Sequence, residues 1–90
     1  MLDGLGARIK AQRRRIELTQ PEMAYLLDMS LNGYQKYEQG EREPPYETLI
    51  KLCDIFECPA DVLLGRSDYL RAIGVDVDEY LSNPLMRPKA

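Results

Sequence analysis

Histidine is absent from this 90-residue chain, and cysteine occurs only at Cys53 and Cys58. With no histidine and no second cysteine pair, neither a zinc ligand set nor a disulfide framework is available. Such sparse cysteine usage fits a reducing cytoplasm. The opening Met1-Leu2-Asp3-Gly4-Leu5-Gly6 lacks a basic stretch followed by an apolar one, and no run approaches the roughly 18 apolar residues of a bilayer span. The expectation is a protein that is neither exported nor membrane-embedded. Also missing are a Gly-rich phosphate loop, a cysteine beside a base, and carboxylates at metal-ligand spacing. No catalytic site, metal or cofactor is therefore expected. Alternation with period two is lacking over any useful length, which argues against strands. This length suits one small domain with a tail, burying about two-thirds of the surface its unfolded chain would expose.

Charge of positive sign is short overall but locally concentrated. Twelve Lys and Arg face fifteen Asp and Glu, for a net charge of −3 and a pI near 4.9. Residues 1–16 nevertheless carry Arg8, Lys10, Arg13, Arg14 and Arg15 against Asp3, a net of +4. Residues 17–65 carry three cations against ten acids, and residues 66–90 balance. The average therefore does not exclude a polyanionic partner, because a basic edge can act within an acidic background.

What is present is helical periodicity. Leu5, Ile9 and Ile16 share one face across 5–17, with Arg8, Arg14 and Arg15 around the other side. Thr19-Gln20-Pro21-Glu22 reads as a capping box with proline in the first turn, opening a helix over 20–27. It stops at Asp28, a residue type that tolerates a left-handed turn. Ser30 caps a third helix over 31–38, and Gly40 closes it. After the Pro44-Pro45 loop, Leu49, Leu52, Cys53 and Phe56 form an i, i+3, i+4, i+7 stripe that defines a fourth helix over 46–56. Residues 59–65 open on Pro59 and close on Gly65 as a very short fifth helix. Beyond it, 68–74 can make two turns, Asp76 with Glu79 forms a second possible capping box, and 82–90 reads as a loose end. Met23, Leu27, Tyr34, Tyr37, Leu49, Leu52 and Phe56 are the expected core. Cys53 reads as a small buried hydrophobe, with a redox pair with Cys58 as the alternative.

Leu18-Thr19-Gln20-Pro21-Glu22-Met23-Ala24, then Ser30, then Tyr37-Glu38-Gln39-Gly40-Glu41-Arg42-Glu43-Pro44 closely resembles the phage-repressor and Cro-like (Xre) family of DNA-binding domains. The resemblance covers Leu5 to Gly65 and rests on several elements at fixed spacing. It implies an all-α, five-helix, lambda-repressor-like domain over 1–65, a helix-turn-helix at 20–39, and a short extension over 66–90 that can be helical. The implied function is a sequence-specific, double-stranded DNA-binding transcriptional regulator of repressor type, with helix 31–38 in the major groove. Leu31, Asn32, Gly33, Gln35 and Lys36 occupy the family's base-facing positions, and Gln20 matches a phosphate-clamping glutamine. Arg8, Lys10, Arg14 and Arg42 are further candidates for phosphate contacts, and Arg13 and Glu38 match a structural ion pair. Three residues depart from the pattern. Gly33 stands where Ser or Thr is usual, weakening a short helix by roughly 1 kcal/mol while permitting close backbone approach. Asp28 and Glu57 stand where turn glycines are usual. Leu31 and Gly33 also leave the third helix with few polar readers.

A recognition helix reads only a few base pairs, so a homodimer is expected. Val62, Leu63 and Leu64 with Tyr69, Leu70, Ile73, Val77, Tyr80 and Leu81 are the expected seam. The alternative reading keeps the fold but makes the chain a protein-interaction module, an antitoxin or antirepressor. The exposed Tyr25-Leu26 pair on helix two, or the tail, would then meet the partner.

Overall fold

The computed structural model describes residues 4–82. The described chain is all-helical, with α1 Leu5–Arg15, α2 Gln20–Leu26, α3 Leu31–Gln39, α4 Tyr46–Phe56, α5 Ala60–Leu63, α6 Ser67–Ala72 and α7 Val77–Ser82. Helix α3 packs against α1 and α2. Helix α5 bridges α1 and α4, and α6 and α7 follow on from it. Ile9, Met23, Tyr34, Leu52 and Phe56 are fully enclosed at the centre.

The local chemistry explains where the helices begin. Thr19 Oγ1 accepts the Glu22 amide at 3.2 Å while Glu22 Oε1 accepts the Thr19 amide at 2.9 Å, closing the capping box. Ser30 Oγ accepts the Gly33 amide at 3.0 Å, and an Asp76 carboxylate oxygen accepts the Glu79 amide at 2.9 Å.

Their ends share one device. In each of α1 to α6, a backbone amide bonds back to a carbonyl five residues earlier: Leu18 to Arg13, Met29 to Ala24, Glu41 to Lys36, Cys58 to Cys53, Arg66 to Asp61 and Val75 to Leu70, at 2.7–3.2 Å. The intervening residue has positive φ in every case, at Glu17, Asp28, Gly40, Glu57, Gly65 and Gly74. This is the Schellman cap, which satisfies the last carbonyls and turns the chain sharply. It lets seven helices fit in so short a span. At Glu17, Asp28 and Glu57 the left-handed turn is made without glycine, at a steric cost of roughly 1–2 kcal/mol each.

The close approach of α1 to α3 depends on Gly6. A Cβ there would lie 2.5 Å from the Glu38 carbonyl oxygen and 2.6 Å from that of Tyr37. Only glycine allows α1 to touch the backbone of α3.

Several expectations change. Val62, Leu63, Leu70 and Val77 are buried within the same core as the first five helices, so they cannot form the surface of a dimer seam. The physical reason is the compact Schellman turns, which fold α6 and α7 back under α5. Leu64 is half-buried, Tyr69 and Ile73 are exposed, and Tyr80 and Leu81 are half-buried. Leu49 and Cys53 are half-buried rather than core. Helix α1 ends at Arg15, before the expected 17, because Leu18 caps it from beyond a left-handed Glu17. The expected loose end lies, beyond Ser82, outside the described residues.

Candidate nucleic-acid interface

Helices α2 and α3 with the turn at 27–30 form a helix-turn-helix, and α3 turns two chemically distinct faces to its surroundings. Tyr34 and Tyr37 point inward, with their rings edge to face and centroids 6.5 Å apart. Leu31, Asn32 and Lys36 are exposed and Gln35 is half-buried. The spacing i, i+1, i+4, i+5 puts those four on one outward stripe.

Beneath the stripe lies Glu38, whose side chain is only 3% exposed. Arg13 Nε donates to Oε2 at 2.7 Å and Nη2 to Oε1 at 3.2 Å, a bidentate pair, while Arg13 Nη1 donates to the Leu18 carbonyl at 2.9 Å. The Tyr34 hydroxyl donates to Oε2, and Gln20 Nε2 donates to Oε1 at 3.1 Å. Burial pushes the Glu38 carboxyl pKa up, but the bonds from Arg13, Tyr34 and Gln20 outweigh it and leave it below the usual value. Burial, together with the neighbouring carboxylate, pushes the Tyr34 phenol up, so it stays a neutral donor. The Glu38 bond is the main reason the Arg13 guanidinium is raised. One carboxylate therefore ties α1, α2 and α3 together.

That carboxylate also dictates the orientation of two amides. An ionised Glu38 can only accept, so Gln20 must turn its NH2 toward it. Gln20 Oε1 then faces Gln35, whose Nε2 donates to it at 3.1 Å. What remains on Gln35 is one N–H and a carbonyl oxygen.

The other candidates distribute unevenly. Arg8 Nε donates to the Leu63 carbonyl at 2.5 Å, and its guanidinium lies against Gly4 and Gly65. It is engaged at the end of α5. Arg42 lies over the Tyr37 ring, 5.7 Å from its centroid. Lys10, Arg14 and Lys36 are exposed and have no ion-pair partner among the described residues. A Cβ on Gly33 would lie 3.1 Å from both Met29 Cε and Ser30 Oγ, so the absent side chain accommodates Met29 as well as the cap.

Arg15 was not singled out by sequence reasoning for any role. Its Nε donates to Gln12 at 2.7 Å, its Nη1 to the Leu81 carbonyl at 3.2 Å, and its Nη2 to the Phe56 carbonyl. It ties α1 to the ends of α4 and α7, and no local signal points to partners so distant in sequence. Tyr25 is 84% exposed and Leu26 50%, beside an apolar hollow completed by Leu18, Pro21 and Glu22. No helix among the described residues is long and apolar enough to cross a membrane.

A family model described as a helix-turn-helix domain matches residues 4–64. The chain is 44% identical over 59 residues to the cryptic phage CTXphi transcriptional repressor RstR of Vibrio cholerae, covering 66% of this chain and 53% of that protein. It is 36% identical over 64 residues to the HTH-type transcriptional regulator ImmR of Bacillus subtilis, covering 71% and 50%. Repressor protein C2 of Salmonella phage P22 is 30% identical over 60 residues, covering 67% and 28%. The chain thus spans about half the length, or less, of these curated relatives. No solved structure matches it.

Proposed function

Since the chain belongs to the helix-turn-helix domain family of phage-repressor-like regulators, we propose that it is a sequence-specific transcriptional repressor that lays α3 in the major groove of double-stranded DNA. The observation that carries this reading is the chain of amides ending at Gln35. Its remaining N–H and carbonyl oxygen match the N7 acceptor and N6 donor of adenine, and its third bond, to Gln20, fixes the pair before DNA arrives. Gln20 is accordingly a positioning residue whose second amide hydrogen is left for a phosphate. Asn32 and Lys36 share the stripe as further readers, with Leu31 placed for a thymine methyl and Gly33 for close backbone approach. Lys10, Arg14 and Arg42 are the phosphate contacts we favour. Arg8 is placed below them because Leu63 occupies its guanidinium.

In this reading residues 1–65 form the DNA-binding unit, and 66–82 dock beneath it. Two copies associate through Leu64, Tyr69, Ile73, Tyr80 and Leu81, the expected seam residues that keep exposed or half-exposed surface. The protein has no enzymatic role and works in the cytoplasm, where its DNA partner would be. The test is selection of bound sequences from a random duplex pool. Paired half-sites about 34 Å apart, each carrying an adenine lost on Gln35→Ala, are expected. Enrichment of no sequence would overturn the reading.

A second reading is favoured by the exposed Tyr25 and Leu26 beside their apolar hollow. That face suits a protein partner that binds while α3 is on DNA or in place of it. Tyr25→Ser with Leu26→Ser would then leave DNA binding intact and abolish the partner's effect.

A further inference from the structure

Cys53 and Cys58 occupy the two positions that a Schellman cap brings face to face, at the end of α4. The Cys58 amide donates to the Cys53 carbonyl at 3.1 Å, with Glu57 between them at φ 50°. The same cap at α5 shows what this geometry does to side chains: Asp61 and Arg66, equivalently placed, form an ion pair at 3.3 Å. At α2 and α6 the slots hold apolar pairs, Ala24 with Met29 and Leu70 with Val75. At α4 both slots hold thiols, which the cap places side by side as it does Asp61 and Arg66.

The two thiols differ in surroundings. Cys58 is buried, 7% exposed. Cys53 is half-buried and opens onto the groove between α4 and α5 that Tyr46, Ile50 and Leu64 also line. The neighbouring Cys58 thiol favours the Cys53 thiolate, whereas the nearness of Cys53 and burial hold Cys58 protonated. One accessible sulfur inclined to ionise, with a protonated one placed beside it by the cap, is the arrangement of an attacking and a resolving thiol.

We propose that Cys53 and Cys58 form a hydroperoxide-reactive dithiol that closes to an intramolecular disulfide across the α4 cap. The Cys53 thiolate attacks a peroxide oxygen, the O–O bond breaks, and the leaving oxygen departs as water after taking a proton, leaving a sulfenic acid. The Cys58 sulfur then displaces that hydroxyl, which leaves as a second water with the Cys58 proton. Two thiols are oxidised by two electrons and one peroxide is reduced. Such a bond in a reducing compartment is transient and sensing rather than structural. The site is independent of DNA reading, because it lies on neither α2 nor α3.

The test is to treat the fully reduced chain with one equivalent of hydrogen peroxide and follow its intact mass and titratable thiols. Loss of both thiols in a monomer two hydrogens lighter is expected. In Cys58→Ala a sulfenic acid should instead persist at Cys53 and be trapped by dimedone, and in Cys53→Ser the remaining thiol should survive the same treatment. Wild-type chain that accumulates sulfenic or sulfinic acid without a disulfide would overturn the proposal. So would cross-linking only between molecules, or closure no faster in the folded chain than in guanidinium. The wild-type comparison needs no variant to fold.

Discussion

Glu38→Gln should be among the most damaging single-atom changes in the molecule. The wild-type carboxylate receives four hydrogen bonds, from Arg13 twice, Tyr34 and Gln20. A carboxamide supplies one acceptor oxygen and turns a donor NH2 toward groups that are themselves donors. It also leaves Arg13, whose side chain is 11% exposed, without its counter-charge. Breaking a buried pair from one side costs about 3–5 kcal/mol. A domain of this size holds roughly 5–10 kcal/mol in total. With about 4–8 °C of Tm per kcal/mol, the loss should be on the order of 12 °C or more. Thermal unfolding followed by far-UV circular dichroism at pH 7, with urea titration, measures it. Pairing the change with Arg13→Met should give a double variant less destabilised than the sum of the singles, by more than about 1 kcal/mol. The sign with pH follows. The folded pKa of Glu38 lies below its unfolded value near 4.5, so its contribution is complete above that pH and is lost as pH falls through the depressed value. Glu38→Gln should remove this part of the acid sensitivity. A loss under about 1 kcal/mol with unchanged acid sensitivity would reduce the pair to an ordinary surface ion pair and refute the hub.

Other perturbations probe separate links. Gly6→Ala drives a Cβ into the Glu38 and Tyr37 carbonyls, and a stability loss of about 1–3 kcal/mol is expected in the same melt. Thr19→Ala opens the capping box and should cost about 1 kcal/mol, read by urea titration. Asp28→Gly relieves a left-handed residue at φ 54° and should raise stability by roughly 0.5–1 kcal/mol. Arg15→Ala frees the Leu81 and Phe56 carbonyls, so amide hydrogen exchange should accelerate in α7 while α2 and α3 stay protected.

The features legible in the sequence were those encoded within a few residues. Thr19 and Glu22 announce a helix start because both partners lie within one turn, and the same holds for Ser30 and for glycine at position 40. The five principal helices follow from such signals with the apolar stripes. Long-range engagement was legible only where the family resemblance supplied it, as for Arg13 with Glu38. Arg8 and Arg15 look alike as cations on one helix, yet they reach Leu63 and Phe56 respectively, and only the packed fold separates their fates. The tail misled for a related reason. Leu70 and Val77 read as an unpartnered apolar strip, because nothing in 66–82 reveals that the turns at Gly65 and Gly74 return it to the core. Gly6 gave no signal, since its neighbour is the backbone of a helix some thirty residues away.

The most direct measurement is the affinity of the chain for duplex DNA as a function of salt, by fluorescence anisotropy on a selected site and a scrambled one. Binding should weaken steeply, with log K falling by about 0.9 per phosphate contact for each unit of log salt. Gln35→Ala should erase most of the preference for the selected site and leave the slope unchanged. Lys10→Ala with Arg14→Ala should flatten the slope by about 1.8 and spare the preference. Absence of binding at low salt, or a preference indifferent to Gln35, would contradict the placement of α3 in the groove.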